Sequence, residues 1–184
     1  MNTFIAVFTT SNARIRLYNE LKRLDRNVIY YDTDSLVYIY HANDKNQIHP
    51  PYGSFLGEWT NEFKEGTHIS EFISAGPKSY AYKTSDGEIV VKVKGLTLTY
   101  AATRLINFDS IKALVLRYAC PKEYPPPDKV NDKNELVIQY PSKIHRDRYN
   151  FRLYGKDVNK KFRVTYGKRQ LIRDGNFDTQ PFGY

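Results

Sequence analysis

Apolar and polar positions follow two different periods along this chain, and each change of period marks an element. Over residues 2–25, Phe4, Phe8, Ser11, Ile15, Tyr18 and Leu21 recur at helical spacing, which predicts one long helix. Thr9-Thr10-Ser11-Asn12 also fits the cap of a second, shorter helix starting near Ala13. Asp25-Arg26-Asn27 reads as an exit turn. Residues 28–31 and 36–40 then supply two β-branched and aromatic runs around Asp32-Thr33-Asp34-Ser35. Such runs predict strands, and the acidic stretch between them predicts a hairpin turn.

Residues 41–54 read as loop, with His41, His49, Pro50, Pro51 and Gly53. Phe55-Leu56-Gly57-Glu58-Trp59 opens a short element that is expected to become helical through Lys64, since Trp59 and Phe63 stand at helical spacing. The period then falls to two. Ile69, Phe72, Ile73, Tyr80 and Tyr82 lead to a Ser85-Asp86-Gly87 turn, and Ile89, Val91 and Val93 lead to Gly95. That pattern predicts a hairpin with Lys92 and Lys94 on the face opposite Val91 and Val93. A lysine-decorated edge that blocks aggregation would look the same.

A second helix is expected from residues 107–109 to about Tyr118, capped by Asp109, with Ile111, Leu114, Val115 and Tyr118 as its apolar stripe. Pro121 and Pro125-Pro126-Pro127 end it in a stiff linker. Short strands are expected at 136–140, 150–153 and 162–166. The whole reads as an α+β chain.

Composition narrows the choice of partners. The 184 residues carry a net charge of +8 and 16 tyrosines. Residues 1–120 hold 14 Lys/Arg against 12 Asp/Glu, and residues 121–184 hold 14 against 8, so +6 of the charge sits in the last third. Interleaved Tyr and basic residues suit phosphates and bases, although a Tyr-rich β-core with a solvated basic face has the same composition. Mean hydropathy is −0.61 and no apolar run reaches the ~20 residues of a membrane helix. The single cysteine, Cys120, leaves no internal disulfide. An intracellular setting is expected.

The candidate chemistry lies at Asp32 and Asp34. Two residues apart near a strand end, they are expected to point to one side. Adjacent carboxylates repel unless water or a cation lies beside them. Mg²⁺ suits such hard oxygens, usually taking one or two carboxylates plus substrate phosphates. Phosphoryl or nucleotidyl transfer is one reading, a solvated turn another. Asp-x-Asp also serves sugar-nucleotide transferases. A dehalogenase-type phosphatase is disfavoured, because the Asp-x-x-x-Asp from Asp128 to Asp132 follows prolines rather than a strand.

Tyr31-Asp32-Thr33-Asp34-Ser35 resembles the third conserved motif of family B DNA polymerases. Leu56-Gly57-x-Trp59, Lys78-Ser79-Tyr80 and Lys92-x-Lys94-Gly95-Leu96-Thr97 follow in order. The set is similar to the protein-primed branch, found in viruses and in Polinton/Maverick transposons. Lys168-Arg169 and the closing Asp178-Thr179-Gln180-Pro181-Phe182-Gly183-Tyr184 are similar to the tails of the transposon enzymes.

The resemblance implies roles. Asp34 would be the principal ligand of two Mg²⁺ ions, with Asp32 supporting. Tyr31 and Thr33 would lie against the incoming dNTP. Lys78 and Tyr80 would hold the primer terminus, and Lys92 and Lys94 the duplex backbone. Residues 1–83 would be the end of the palm, a helix plus a β-hairpin. Residues 84–184 would be a β-rich thumb with one helix and a basic tail that grips the product. A terminal protein is the implied primer. The family's Asp-x-x-Ser-Leu-Tyr-Pro segment, its Lys-rich fingers helix and an exonuclease's acidic set do not occur in the sequence. The chain is therefore expected to be the C-terminal part of a polymerase, with Met1 inside a continuous helix, and to need the N-terminal portion for activity.

Overall fold

Asn2 starts the first helix. Its Oδ1 accepts from the Phe4 amide at 3.1 Å and the Ile5 amide at 3.4 Å, which satisfies two donors that the helix itself cannot. From there α1 runs unbroken over Thr3–Leu24. The Thr9 and Thr10 hydroxyls donate back to the Ile5 and Ala6 carbonyls at 2.8 and 3.0 Å, so the polar run stays inside the helix rather than capping a second one. Lys22 and Arg23 sit in the last turn, where the helix dipole favours cations. Asp25, at φ 45°, breaks the helix, and a 3₁₀ turn over Asp25–Asn27 feeds the first strand.

The structure is a computed structural model that describes residues 2–127, 129–167, 169–171 and 179–181, the last two segments as backbone strands. Two units partition the chain, Met1–Gly66 and Thr67–Tyr184. Residue 83, the expected end of the palm portion, lies inside a strand of the second unit.

In the first unit, β1 (Val28–Asp32) and β2 (Ser35–Tyr38) pair antiparallel. The loop after them carries an isolated bridge between Tyr52 and Trp59. The helix expected to run through Lys64 is not formed. Gly57 turns the chain at φ 91°, a conformation glycine adopts without strain, and the Glu58 carboxylate accepts from the Phe55 amide at 2.8 Å. Trp59 and Phe63 are half-buried loop residues whose spacing only mimics a helix.

In the second unit, β3 (Ile69–Gly76), β4 (Ser79–Thr84) and β5 (Ile89–Lys92) form an antiparallel meander. A one-turn helix, α2 (Tyr100–Thr103), precedes α3 (Phe108–Ala119). The N-cap of α3 is Asn107, not Asp109. Asn107 and Ser110 exchange side-chain to backbone bonds at 2.9 and 3.0 Å, and Asp109 instead occupies the first turn. α3 packs on the meander through Ile111 and Leu114, which meet Ile73, Ala75 and Ala81. Gly76 has φ 127° there, and a Cβ would stand 2.0 Å from the Thr165 carbonyl oxygen. The close approach lets the Thr165 amide donate to Ala75 O at 2.8 Å.

The last third differs most from expectation. In place of three short strands, β6 (Leu136–Arg146) and β7 (Leu153–Phe162) form one long two-stranded ribbon. Leu136, Ile138 and Phe162 bury its root in the core. Pro141 and Ser142 oppose the single residue Asp157, a bulge held by the Ser142 amide donating to Asp157 Oδ1 at 2.7 Å. The expected strand at 150–153 is largely the turn at the far end. β8 (Arg169–Leu171) pairs with β9 (Thr179–Pro181). The fold is α+β, with small antiparallel sheets. No helix among the described residues is long and apolar enough to cross a membrane.

Candidate metal and nucleic-acid sites

The acidic tip forms because two apolar strands close on a turn of only two residues, Thr33 and Asp34. Asp32 ends β1 opposite Ser35, with Tyr31 opposite Leu36 and Tyr30 opposite Val37. The Asp32 Oδ1 accepts from the Thr33 amide at 2.9 Å and from the Thr33 hydroxyl at 3.1 Å. Asp32 is half-buried, whereas Thr33 and Asp34 are exposed. The rule that alternate strand residues share a side therefore governs Asp32 but not Asp34, which belongs to the turn. Tyr31 is 58% exposed beside them.

Two carboxylates fit a Mg²⁺ ion that keeps water and phosphate as its other ligands. Among the described residues no group of three or more His, Cys, Asp or Glu is gathered as a metal cluster. A two-metal centre would need a further carboxylate from elsewhere.

The candidates of the second unit collect at one end of the meander. Lys78 sits in the β3–β4 turn at φ 58°, between Gly76 and its partner Ser79. Tyr80 lies directly opposite Lys92 on β5. The Lys94 amide donates to the Ser79 hydroxyl at 3.2 Å, which brings that residue back to the same end. Lys78, Lys92 and Lys94 are exposed, and Tyr80 is half-buried. Val91 and Val93 pack against the core, as the alternation predicted.

Sequence reasoning did not show what holds Tyr80. Its ring stacks on Phe72 at 5.7 Å between centroids and on Tyr82 at 6.3 Å, an aromatic ladder on the face away from Ala81 and α3. The signal was present, since Tyr80 and Tyr82 alternate, but Phe72 enters through a cross-strand register that the sequence does not print.

The basic residues of the last third are not equivalent. The side chain of Glu135 is only 7% exposed and ion-pairs Lys161 at 3.1 Å and Arg163 at 3.8 Å. The Asn131 and Lys161 bonds hold its carboxyl below the usual range. Lys160 donates to the Gly95 carbonyl. These three cations serve the fold. Lys143, Arg146, Arg148, Arg152 and Lys156 line the exposed part of the ribbon, and among the described residues none has an acidic partner. Lys168, Arg173, Asp178 and the closing 182–184 lie outside the described residues.

The chain shows no significant match to a family model, to a curated protein or to a solved structure.

Proposed function

We propose that this chain works as part of a DNA-directed DNA polymerase of the family B type, in its protein-primed branch, supplying the end of the palm and the thumb. The observation that carries the reading is a tight hairpin that presents Asp32-Thr33-Asp34-Ser35 between apolar strands. The ordered motifs Leu56-Gly57-x-Trp59, Lys78-Ser79-Tyr80 and Lys92-x-Lys94-Gly95 support it.

In this reading Asp34 and Asp32 hold Mg²⁺. When bound, the ions neutralise phosphate charge and activate a 3′-hydroxyl. Thr33 orients the Asp32 carboxylate in advance, while the exposed Asp34 reaches a cation without paying for burial. Tyr31 and Thr33 border the dNTP. Lys78, Tyr80, Lys92 and Lys94 bind the primer-template. The remaining carboxylate comes from a polymerase portion carrying Asp-x-x-Ser-Leu-Tyr-Pro, and a terminal protein serves as primer. The setting is the nucleus or cytoplasm of a host cell.

Co-expression with that polymerase portion tests the reading by primer extension. Extension that appears with both parts and vanishes in Asp34→Ala supports it. Extension that survives Asp34→Ala rejects it. The +6 charge of residues 121–184 favours a second reading, a non-catalytic DNA-binding module. That module would bind DNA with Asp34 replaced and would never yield extension in the reconstituted pair.

A further inference from the structure

Among the described residues, none covers the distal half of the β6–β7 ribbon. Residues 141–146 and 153–157 are exposed except for half-buried His145, whereas the root sits in the core. A bare two-stranded ribbon is marginal in water, so its tip is stiffened by its own bonds. The Asp147 carboxylate accepts from the Tyr149 and Asn150 amides at 2.9 and 3.2 Å and from the Asn150 side chain at 2.8 Å. These bonds hold its carboxyl below the usual range. The Asp147 amide donates to the Arg152 carbonyl at 2.8 Å and closes the turn.

That turn displays aromatic rings that the fold does not use. Tyr149 is 93% exposed and Phe151 is 76% exposed. Arg148 and Arg152 flank them in sequence, and the Arg146 guanidinium lies 5.9 Å from the Phe151 ring centre. On one face of the ribbon His145 and Tyr154 lie opposite each other and stack at 5.8 Å, two rungs from the opposed Lys143 and Lys156. Rings interleaved with cations are the chemistry of base stacking combined with phosphate contact. Inside a duplex the base faces are already stacked on one another, so exposed rings find partners only on unpaired bases. A bilayer-inserting tip would instead need an apolar cap free of charge, and Arg148 stands next to Tyr149.

We propose that the distal ribbon is a binding arm for single-stranded nucleic acid. Tyr149 and Phe151 stack on unpaired bases, while Arg146, Arg148 and Arg152 meet the phosphates. The arm acts without metal and does not depend on the acidic hairpin.

The full chain is titrated in EDTA with a labelled oligothymidylate, a hairpin duplex and phosphatidylserine vesicles. The strand is expected to bind, with log affinity falling by about 0.7 per phosphate neutralised against log salt. Tyr149→Ala and Phe151→Ala are each expected to weaken strand binding by roughly 5- to 150-fold. A Tyr149→Trp variant gives an independent readout, since its fluorescence is expected to be quenched by the strand and not by the duplex. Alanine variants that weaken duplex binding as much as strand binding overturn the proposal, as do unchanged strand affinities in both alanine variants, an unquenched Trp, or capture by vesicles alone. Asp34→Ala is expected to leave these titrations unchanged, so failure here is separable from failure of the polymerase reading.

Discussion

Asp32 and Ser35 face each other across the last rung of the first hairpin, which leaves Thr33 and Asp34 alone to reverse the chain. The two aspartates therefore differ in kind. One is anchored by its neighbour and the other projects from the turn. Asp34→Ala is expected to abolish extension by the reconstituted polymerase while leaving the melting curve within about 0.5 kcal/mol of the parent, as exposed substitutions usually do. Asp32→Ala removes the acceptor of two bonds and is expected to lower both activity and stability, the latter by about 0.5–2 kcal/mol in urea denaturation.

Lys92 and Lys94 test the meander end. Both are exposed, and the bond Lys94 makes comes from its backbone amide. Replacing both with Ala is expected to leave the fold intact and to weaken duplex DNA binding. The log–log salt slope should shrink by about 0.9 for each phosphate that is no longer neutralised. An unchanged slope would remove these lysines from the DNA-binding surface.

Gly76 is where backbone geometry admits one residue type. At φ 127°, with the Thr165 carbonyl oxygen 2.0 Å from where a Cβ would stand, Gly76→Ala must displace the segment after β7. The expected cost is about 3 kcal/mol or more, combining steric clash with an unfavourable φ. Gly87→Ala is the control. It has φ 89° but open space around it, so it should cost only its backbone strain.

Stability should fall in acid through Glu135 and Glu71. The Asn131 and Lys161 bonds lower the first carboxyl, and the Lys112 bond lowers the second. A lowered folded-state value means that the stabilisation is complete above the ordinary glutamate value of about 4.3 and is lost as pH falls through the lower folded value. Glu135→Gln is expected to flatten the acid limb of a stability–pH curve. A curve that keeps its parent slope would show that the bonds to Asn131, Lys161 and Arg163 do not couple to folding.

The parts legible in the sequence are those where one face of an element is buried. α3 showed its stripe because Ile111 and Leu114 pack against a sheet, and the tip of β1–β2 stood out because apolar runs bracket it. The ribbon beyond Tyr140 was unreadable as strand for the opposite reason. With its side chains exposed, no alternation is selected, and Lys143, Arg146, Lys156 and their neighbours look like loop. The β3–β4 turn was hidden because Lys78 takes the left-handed position that a glycine would have advertised. The gathering of Tyr80, Lys92 and Lys94 at one sheet end depends on register, which their spacing along the chain does not reveal.

The bulge at Ser142 separates two regimes of tolerance. Below it, Leu136, Ile138, Tyr140 and Phe162 tie the ribbon to the interior. Beyond it, residues can be inserted or deleted in opposed pairs, and the hydrophobic interior never registers the change. The reach of the arm is thus a dial that evolution or an engineer can turn without renegotiating the stability of the domain that carries it.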